Sequence, residues 1–231
     1  MPIDQPRDTR KGEEIDLVQL NKHLAGFPEI GQAITQKQFP GGYSNLTYLL
    51  ETDCGEVILR RPPFGAAIKS AHDMGREFRV LSLLRPHYPR VPNPLLYCED
   101  PSVIGAPFYL MERVKGIILR PSMLKEMRFA PAEMRALSES LVDNLVALHA
   151  LDIAATGLNQ LGKPEGYISR QVEGWTKRYY AAQTDGISEM DALSSWLLAN
   201  QPLDGPAAFL HNDYKYDNIV FREGHLPEIN G

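Results

Sequence analysis

Near its C-terminal end the chain carries side chains at a spacing that phosphoryl transfer uses. In His211-Asn212-Asp213-Tyr214-Lys215-Tyr216-Asp217-Asn218 an Asp stands five positions before an Asn and two positions after a His. In a loop of that kind the Asp accepts the proton of an attacking hydroxyl. The Asn carbonyl oxygen holds a Mg²⁺ on the nucleotide, and the His braces the loop from below. Lys215 would neutralise charge developing on the transferred phosphoryl group. This chemistry asks little covalent work of a protein. Positioning and charge stabilisation carry it, so Asp213, Lys215 and Asn218 at fixed offsets would suffice. The competing reading is a polar turn between two short strands, for which Leu210 and Ile219-Val220-Phe221 are the candidates. A motif this short arises by chance, so its weight depends on what precedes it.

Four further features precede it in order. Gly41-Gly42-Tyr43-Ser44-Asn45 sits just before a strand-like run. Glycines let backbone N–H groups approach an anion, and Ser44 and Asn45 could add side-chain donors. An ordinary turn is the commoner meaning of a Gly-Gly pair. Arg60 ends Val57-Ile58-Leu59-Arg60 on the Ile58 face, where its fork could grip two phosphate oxygens. Arg61 points to the opposite face and is its competitor. Glu77, in Arg76-Glu77-Phe78, could pair with the strand arginine and aim it; the bland alternative is an exposed helical ion pair of little value. Then comes the hinge-like run Met111-Glu112-Arg113-Val114. Each feature is weak alone, but their order along the chain favours a functional reading.

The elements that must position these groups can be read from periodicity. Leu17, Leu20 and Leu24 suggest a short leading helix after a loose segment over residues 1–12. Thr47–Thr52, a turn at Asp53-Cys54-Gly55 and Glu56–Arg61 form a β-hairpin, which Pro62-Pro63 ends. Ser70 is a candidate cap for a helix running to about Leu84, with Met74, Phe78, Leu81 and Leu84 as its stripe. Leu95–Cys98 and Phe108–Val114 are strand-like. Pro131 opens a helix to about Leu151, with Met134, Leu137, Leu141, Leu145 and Leu148 as its buried face. Helices over Arg170–Gln183 and Met190–Asn200 follow. The class is therefore α+β. The composition shift near Lys115-Gly116 marks a boundary between a β-rich N-terminal lobe, 1–114, and a mainly helical lobe, 115–231.

The chain of 231 residues carries a net charge of −5, which gives it no general attraction to nucleic acid or anionic membrane. Residues 60–90 nevertheless hold seven Lys or Arg against Asp73 and Glu77, read either as a solvated helix face or as an anion-facing patch. The two cysteines, Cys54 and Cys98, match no zinc or disulfide pattern and suit a reducing compartment. A polar N-terminus and the lack of a long apolar run point to a cytoplasmic protein.

The chain resembles the aminoglycoside phosphotransferase-like kinase family, and in particular the branch related to the kinase domains of acyl-CoA dehydrogenase fusion proteins. Phe39-Pro40-Gly41-Gly42-Tyr43-Ser44-Asn45-Leu46-Thr47-Tyr48 carries the likeness, with Leu59–Pro63, Ala71–Leu81, Pro107–Glu112, Leu148-His149, Arg170-Gln171-Val172, Trp175 and the loop at 211–218. The resemblance implies a two-lobed protein-kinase-like fold, with ATP in the cleft and its adenine against the backbone around Met111, Glu112 and Val114. It implies Asp213 as base, Asn218 as Mg²⁺ ligand, Arg60 in the place of a phosphate-binding Lys or Arg, and Glu77 as its partner. The implied substrate is a small hydroxyl-bearing molecule, a hydroxy acid or hydroxyacyl thioester rather than an aminoglycoside.

Two departures stand out. The family has Gly where this chain has Asn212, a residue that tolerates left-handed backbone. The family also places a metal-binding Asp on a strand soon after the Asn, whereas here Pro227-Glu228-Ile229-Asn230-Gly231 comes first. Glu223 and Glu228 lie too near the loop to replace it. The expectation is a fragment of a longer protein, with its helical lobe incomplete, the apolar faces of its helices partly uncovered and little turnover of its own. The alternative is a kinase-like module that binds nucleotide or ligand without chemistry. A protein kinase fits less well, because the Gly loop is poor in glycine.

Overall fold

In the computed structural model, residues 5–40, 45–64, 73–120 and 128–231 are described. The chain divides into two compact units, residues 1–150 with 210–231, and residues 151–209.

The first unit is built on a five-stranded antiparallel sheet of order β1-β2-β3-β5-β4. Its strands are β1 (Ala33–Gln38), β2 (Leu46–Thr52), β3 (Gly55–Arg61), β4 (Pro94–Cys98) and β5 (Phe108–Glu112). The hairpin of β2 and β3 pairs Thr52 with Gly55 and Leu46 with Arg61, as the apolar alternation and the Asp53-Cys54 turn require. Successive side chains point to opposite faces. Leu46, Tyr48, Leu50, Val57, Leu59, Leu96, Cys98, Phe108 and Leu110 therefore form one core, closed by Leu20 and Leu24 of α1 (Leu17–Leu24). The helix is capped by Asp16, whose carboxylate accepts the Val18 and Gln19 N–H groups. The other face meets α2 (Met74–Leu84), where Phe78 packs on the rings of Tyr97 and Tyr109.

The same alternation separates the two arginines. Arg61 is buried on the α1 side at 2 % exposure. Its guanidinium donates to the carbonyls of Ile104 (2.9 Å) and Pro62 (3.1 Å) and stacks on the Phe64 ring. Burial lowers its pKa, against the pull of Tyr48 and Glu13. Arg61 is thus a core cation, which leaves the α2 face to Arg60.

The lower part of this unit is organised by α3 (Pro131–His149), which starts at the proline as the first-turn rule requires. Leu137 of α3, Ile117, Leu119, Ile219, Phe221 and Ile229 form a second core. The link between 116–117 and 221 is tight. Ile117 and Phe221 exchange both backbone hydrogen bonds at 2.8 Å. In the second unit, α4 (Tyr167–Ala182) and α5 (Ser188–Ala199) follow a 3₁₀ turn at Leu158–Leu161.

Several expectations are corrected. Residues 5–12 are not loose throughout: Arg7 forms a bridge with Gln38, because the exposed edge of β1 has backbone groups to satisfy. The cap of α2 is Asp73, which accepts the Arg76 N–H at 2.8 Å, whereas Ser70 lies outside the described residues. Strand β5 ends at Glu112, so Arg113 and Val114 are connector. The 211–218 loop is not flanked by two strands. Leu210 is 42 % exposed in irregular chain, and Phe221 alone makes isolated bridges, to Ile117 and Ile229. The expected uncovered faces are present: Val142 and Val146 of α3 and Trp175 of α4 are exposed.

Gly116 tests how closely the two segments must approach. A Cβ there would lie 2.3 Å from the Phe221 carbonyl oxygen and 2.6 Å from Val220 Cγ1. Gly116→Ala should force the 117–221 bridge apart and destabilise the first unit by about 1–3 kcal/mol. Urea unfolding checks this, and an unchanged midpoint would show that the approach is not needed.

Candidate active site

The upper cluster gathers on the α2 face of the sheet. Arg60 is the last residue but one of β3, and its neighbours across the ladder are Thr47 of β2 and Tyr109 of β5. Glu77 comes from the first turn of α2. Three donors converge on its carboxylate: Asn45 Nδ2 at 2.6 Å, Tyr109 Oη at 2.9 Å and Arg60 Nη2 at 3.4 Å. Burial raises the Tyr109 pKa far above the ordinary phenol range, and Glu77 adds to the shift while Arg60 opposes it. The phenol therefore stays protonated and remains a donor. Arg60 Nε is shut from water and has no acceptor among the described residues. Such a group is costly to leave unmade and suits an anionic oxygen. The expected Arg60–Glu77 pair forms; Gly41, Gly42 and Ser44 lie outside the described residues.

The connector after β5 is held to the sheet by Glu56 at the start of β3. Its two carboxylate oxygens meet Arg113 Nη1 and Lys115 Nζ, each at 2.6 Å, and these contacts, Lys115 first, lower its pKa. Glu112 N–H donates to Asn93 O at 2.8 Å, and its side chain accepts the Asn93 N–H at 3.1 Å. Met111 is paired within the ladder opposite Ile58. Val114 packs beside Gly231.

The lower cluster is the loop. Asn212 takes φ +62°, the left-handed conformation that asparagine tolerates better than most residues. That turn lets Asp213 N–H donate to His211 Nδ1 at 3.3 Å. Desolvation lowers the His211 pKa while Asp213 opposes the shift, a direction that favours the neutral imidazole whose Nδ1 accepts here. Asp213 Oδ1 meets Lys215 Nζ at 3.0 Å, and Asp213 Oδ2 accepts from Asn218 Nδ2 at 2.9 Å. Hydrogen bonds from Lys215 and then Asn218 hold the Asp213 carboxyl below the usual carboxylate range. Asn218 Nδ2 also donates to Asp213 O at 2.8 Å, which uses both amide protons and leaves Oδ1 as the acceptor. An amide oxygen of that kind is a suitable hard ligand for Mg²⁺. Among the described residues, no group of three or more His, Cys, Asp or Glu gathers to hold a metal.

The candidates thus form two clusters, Asn45–Arg60–Glu77 and Asp213–Lys215–Asn218, with no hydrogen bond or ion pair between them among the described residues. One cavity of about 650 Å³, lined by Ile117, Phe129, Glu133, Leu137, Glu223 and Pro227 among others, contains none of them. Two residues escaped the sequence reading. Tyr109 looks like a core aromatic, and only strand register shows its hydroxyl facing Glu77. Asn144 falls at helical spacing within the Leu137–Leu141–Leu148 stripe, which was a legible signal.

If Tyr109 is a required donor to Glu77, Tyr109→Phe should cost about 1.5–3 kcal/mol, the range for a bond to a charged group. Urea denaturation measures it, and hydrogen exchange should show faster opening of α2. A change below about 0.5 kcal/mol would mean that Asn45 and Arg60 hold the carboxylate alone.

Comparison with known proteins places this geometry. Residues 35–227 match the model of the phosphotransferase enzyme family. The chain is 43% identical over 204 residues to acyl-CoA dehydrogenase family member 11 of Rattus norvegicus, a match over 87% of this chain and 26% of that protein. It spans about a quarter of that curated relative's length. It is 32% identical to a Ralstonia eutropha JMP134 protein assigned to the aminoglycoside phosphotransferases, with a TM-score of 0.79 over 94% of this chain and 64% of the other. The streptomycin–ATP–APH(2″)-IIa ternary complex shares the fold at 16% identity, with a TM-score of 0.58 over 94% of this chain and 69% of that one. The likeness confirms the α+β kinase-like architecture expected from the sequence. With the family model spanning most of its length, the chain belongs to the phosphotransferase enzyme family.

Proposed function

We propose that the chain carries the nucleotide-binding sheet and catalytic loop of an ATP- and Mg²⁺-dependent phosphotransferase that acts on a hydroxyl of a small molecule. The observation that carries this reading is the state of Asp213. Its carboxyl is kept ionised by Lys215 and Asn218, and the left-handed turn at Asn212 presents it on an exposed loop. An ionised carboxylate at that place can accept the proton of an attacking hydroxyl. Lys215 offers charge to the transferred phosphoryl group. Arg60, steadied by Glu77, offers its buried Nε–H and its fork to phosphate oxygens. A base seated against residues 111–114 would use groups other than the Glu112 N–H, which Asn93 occupies. Asn218 Oδ1 would hold Mg²⁺, which supplies charge neutralisation on the phosphates.

The relatives support the substrate class. The neighbouring fold in the streptomycin–ATP complex accommodates a nucleotide and a polyhydroxylated small molecule. The matched rat protein is named for acyl-CoA dehydrogenation, which favours a hydroxy acid or hydroxyacyl thioester over an aminoglycoside. No helix among the described residues is long and apolar enough to cross a membrane.

The test is phosphoester formation from Mg–ATP by the protein, followed by ³¹P NMR across hydroxy acids, hydroxyacyl thioesters and streptomycin. Asp213→Asn should lower kcat by about 10²–10⁴-fold. Undiminished transfer by that variant would remove Asp213 from its role. Mg²⁺-independent nucleotide binding without any product would make the chain a binding module instead.

The pH profile gives a second test. Activity needs the carboxylate, so it is present above the Asp213 pKa and lost as pH falls through it. In the wild type the acid limb of kcat/KM should lie below the ordinary Asp value of about 3.9. Lys215→Met removes the largest cause of the depression, so the limb should move to higher pH. A limb that stays in place would assign it to another group.

A further inference from the structure

The chemistry above makes no use of Asn144, although it is a buried polar side chain with three hydrogen-bond partners among the described residues. It lies in the middle of α3 at 4% exposure, on the stripe otherwise made by Leu137, Leu141 and Leu148. An amide buried there costs more than a leucine unless every group is paired. Here the oxygen and the nitrogen both have partners, with one Nδ2 proton committed. Asn144 Oδ1 accepts from Tyr88 Oη and, at 3.1 Å, from Arg90 Nη1. Asn144 Nδ2 donates to Tyr214 Oη at 2.9 Å, and that hydroxyl donates onward to Leu141 O at 2.8 Å.

The partners come from three separated segments. Tyr88 and Arg90 belong to the connector between α2 and β4, directly after the helix that carries Glu77. Tyr214 stands between Asp213 and Lys215, and its ring meets that of His211 edge-on at 5.5 Å. The Tyr214 hydroxyl has one acceptor on one side and one donor on the other, which fixes the direction of its O–H and the placement of its ring. A rotation of that ring would drag the peptide groups on either side of it, and with them the Asp213 carboxylate and the Lys215 ammonium.

We propose that Asn144 is a positioning residue, which through Tyr214 orients Asp213 and Lys215 and ties that orientation to the connector following α2. Its kinetic consequence rests on the phosphotransferase reading; its structural consequence does not. Two measurements on the intact protein separate them. The first follows phosphate release from Mg–ATP with water as acceptor. Asn144→Leu, which is similar in volume and apolar, should lower kcat about tenfold or more and leave KM for ATP within about twofold, because a misplacement of the order of 1 Å is enough for such a loss. A raised KM at unchanged kcat, or unchanged kinetics, would overturn the proposal.

The second measurement needs no turnover. Tyr88→Phe removes the hydroxyl that donates to Asn144, keeps the ring and breaks no hydrogen bond made directly to the loop. In ¹H–¹⁵N spectra it should shift the backbone amides of Asp213, Tyr214 and Lys215 while those of Ile117 and Phe221 stay in place. A group that only packs would change the melting temperature and leave those amides unmoved, which would sink the idea even if Asn144→Leu failed to fold. A wild type that never turns over ATP would count against the phosphotransferase reading alone, since the amide shifts would still decide the role of Asn144.

Discussion

Glu77 reaches from α2 to the sheet and meets donors from three different elements there. Asn45 leads into β2, Arg60 lies near the end of β3 and Tyr109 lies in β5. One carboxylate therefore sets the distance between a helix and a sheet, and also aims the arginine. Its side chain is about one-third exposed, so the ion pair with Arg60 is not a large source of stability by itself. The shorter bonds from Asn45 and from the buried Tyr109 hydroxyl do more to fix the geometry. Arg60 is left with one contact at 3.4 Å and a buried Nε–H that has no acceptor among the described residues. That is a suitable state for the phosphate-binding role proposed for it. An arginine buried against carbonyls and a ring would resist recruitment, as Arg61 illustrates on the other face.

The contrast between Arg60 and Arg61 shows what was legible in the sequence. Period-two alternation was enough to send them to opposite faces. The position of Glu77 one turn into the following helix was enough to suggest which of them it would meet. The hairpin, α1 and the long helix from Pro131 were readable for similar reasons, since each has an uninterrupted apolar period and a recognisable start. Boundaries slipped where a competing group lay nearby, as when Asp73 rather than Ser70 capped α2. The tolerance expected of Asn212 was also correct, because left-handed backbone is a local property of one residue.

Long-range polar contacts were less legible. Nothing local distinguishes Tyr109 from the aromatic residues beside it, and its role depends on the pairing of β3 with β5 and on the approach of α2. Asn144 was passed over because an apolar stripe was sought, although its spacing among leucines marked it. The strands expected around the loop failed for a similar reason. Short apolar runs such as Ile219-Val220-Phe221 are ambiguous, and here they serve as a wedge between α3 and Ile117 instead of joining a sheet.

That wedge bears on how the loop keeps its shape. The contacts among Asp213, Lys215 and Asn218 are exposed, and an ion pair in such a setting contributes at most about 1 kcal/mol and weakens with salt. Three such side chains could not hold a reactive arrangement against their own rotamer entropy. The loop must take its rigidity from what is buried beneath it. Ile219 and Phe221 sit in the second core on one side, and Tyr214 is pegged to α3 on the other. Exposed groups can then be chosen for chemistry alone, because none of them has to support the backbone. By the same reasoning, substitutions beneath the loop should reach the Asp213 carboxylate more strongly than most substitutions on the surface beside it.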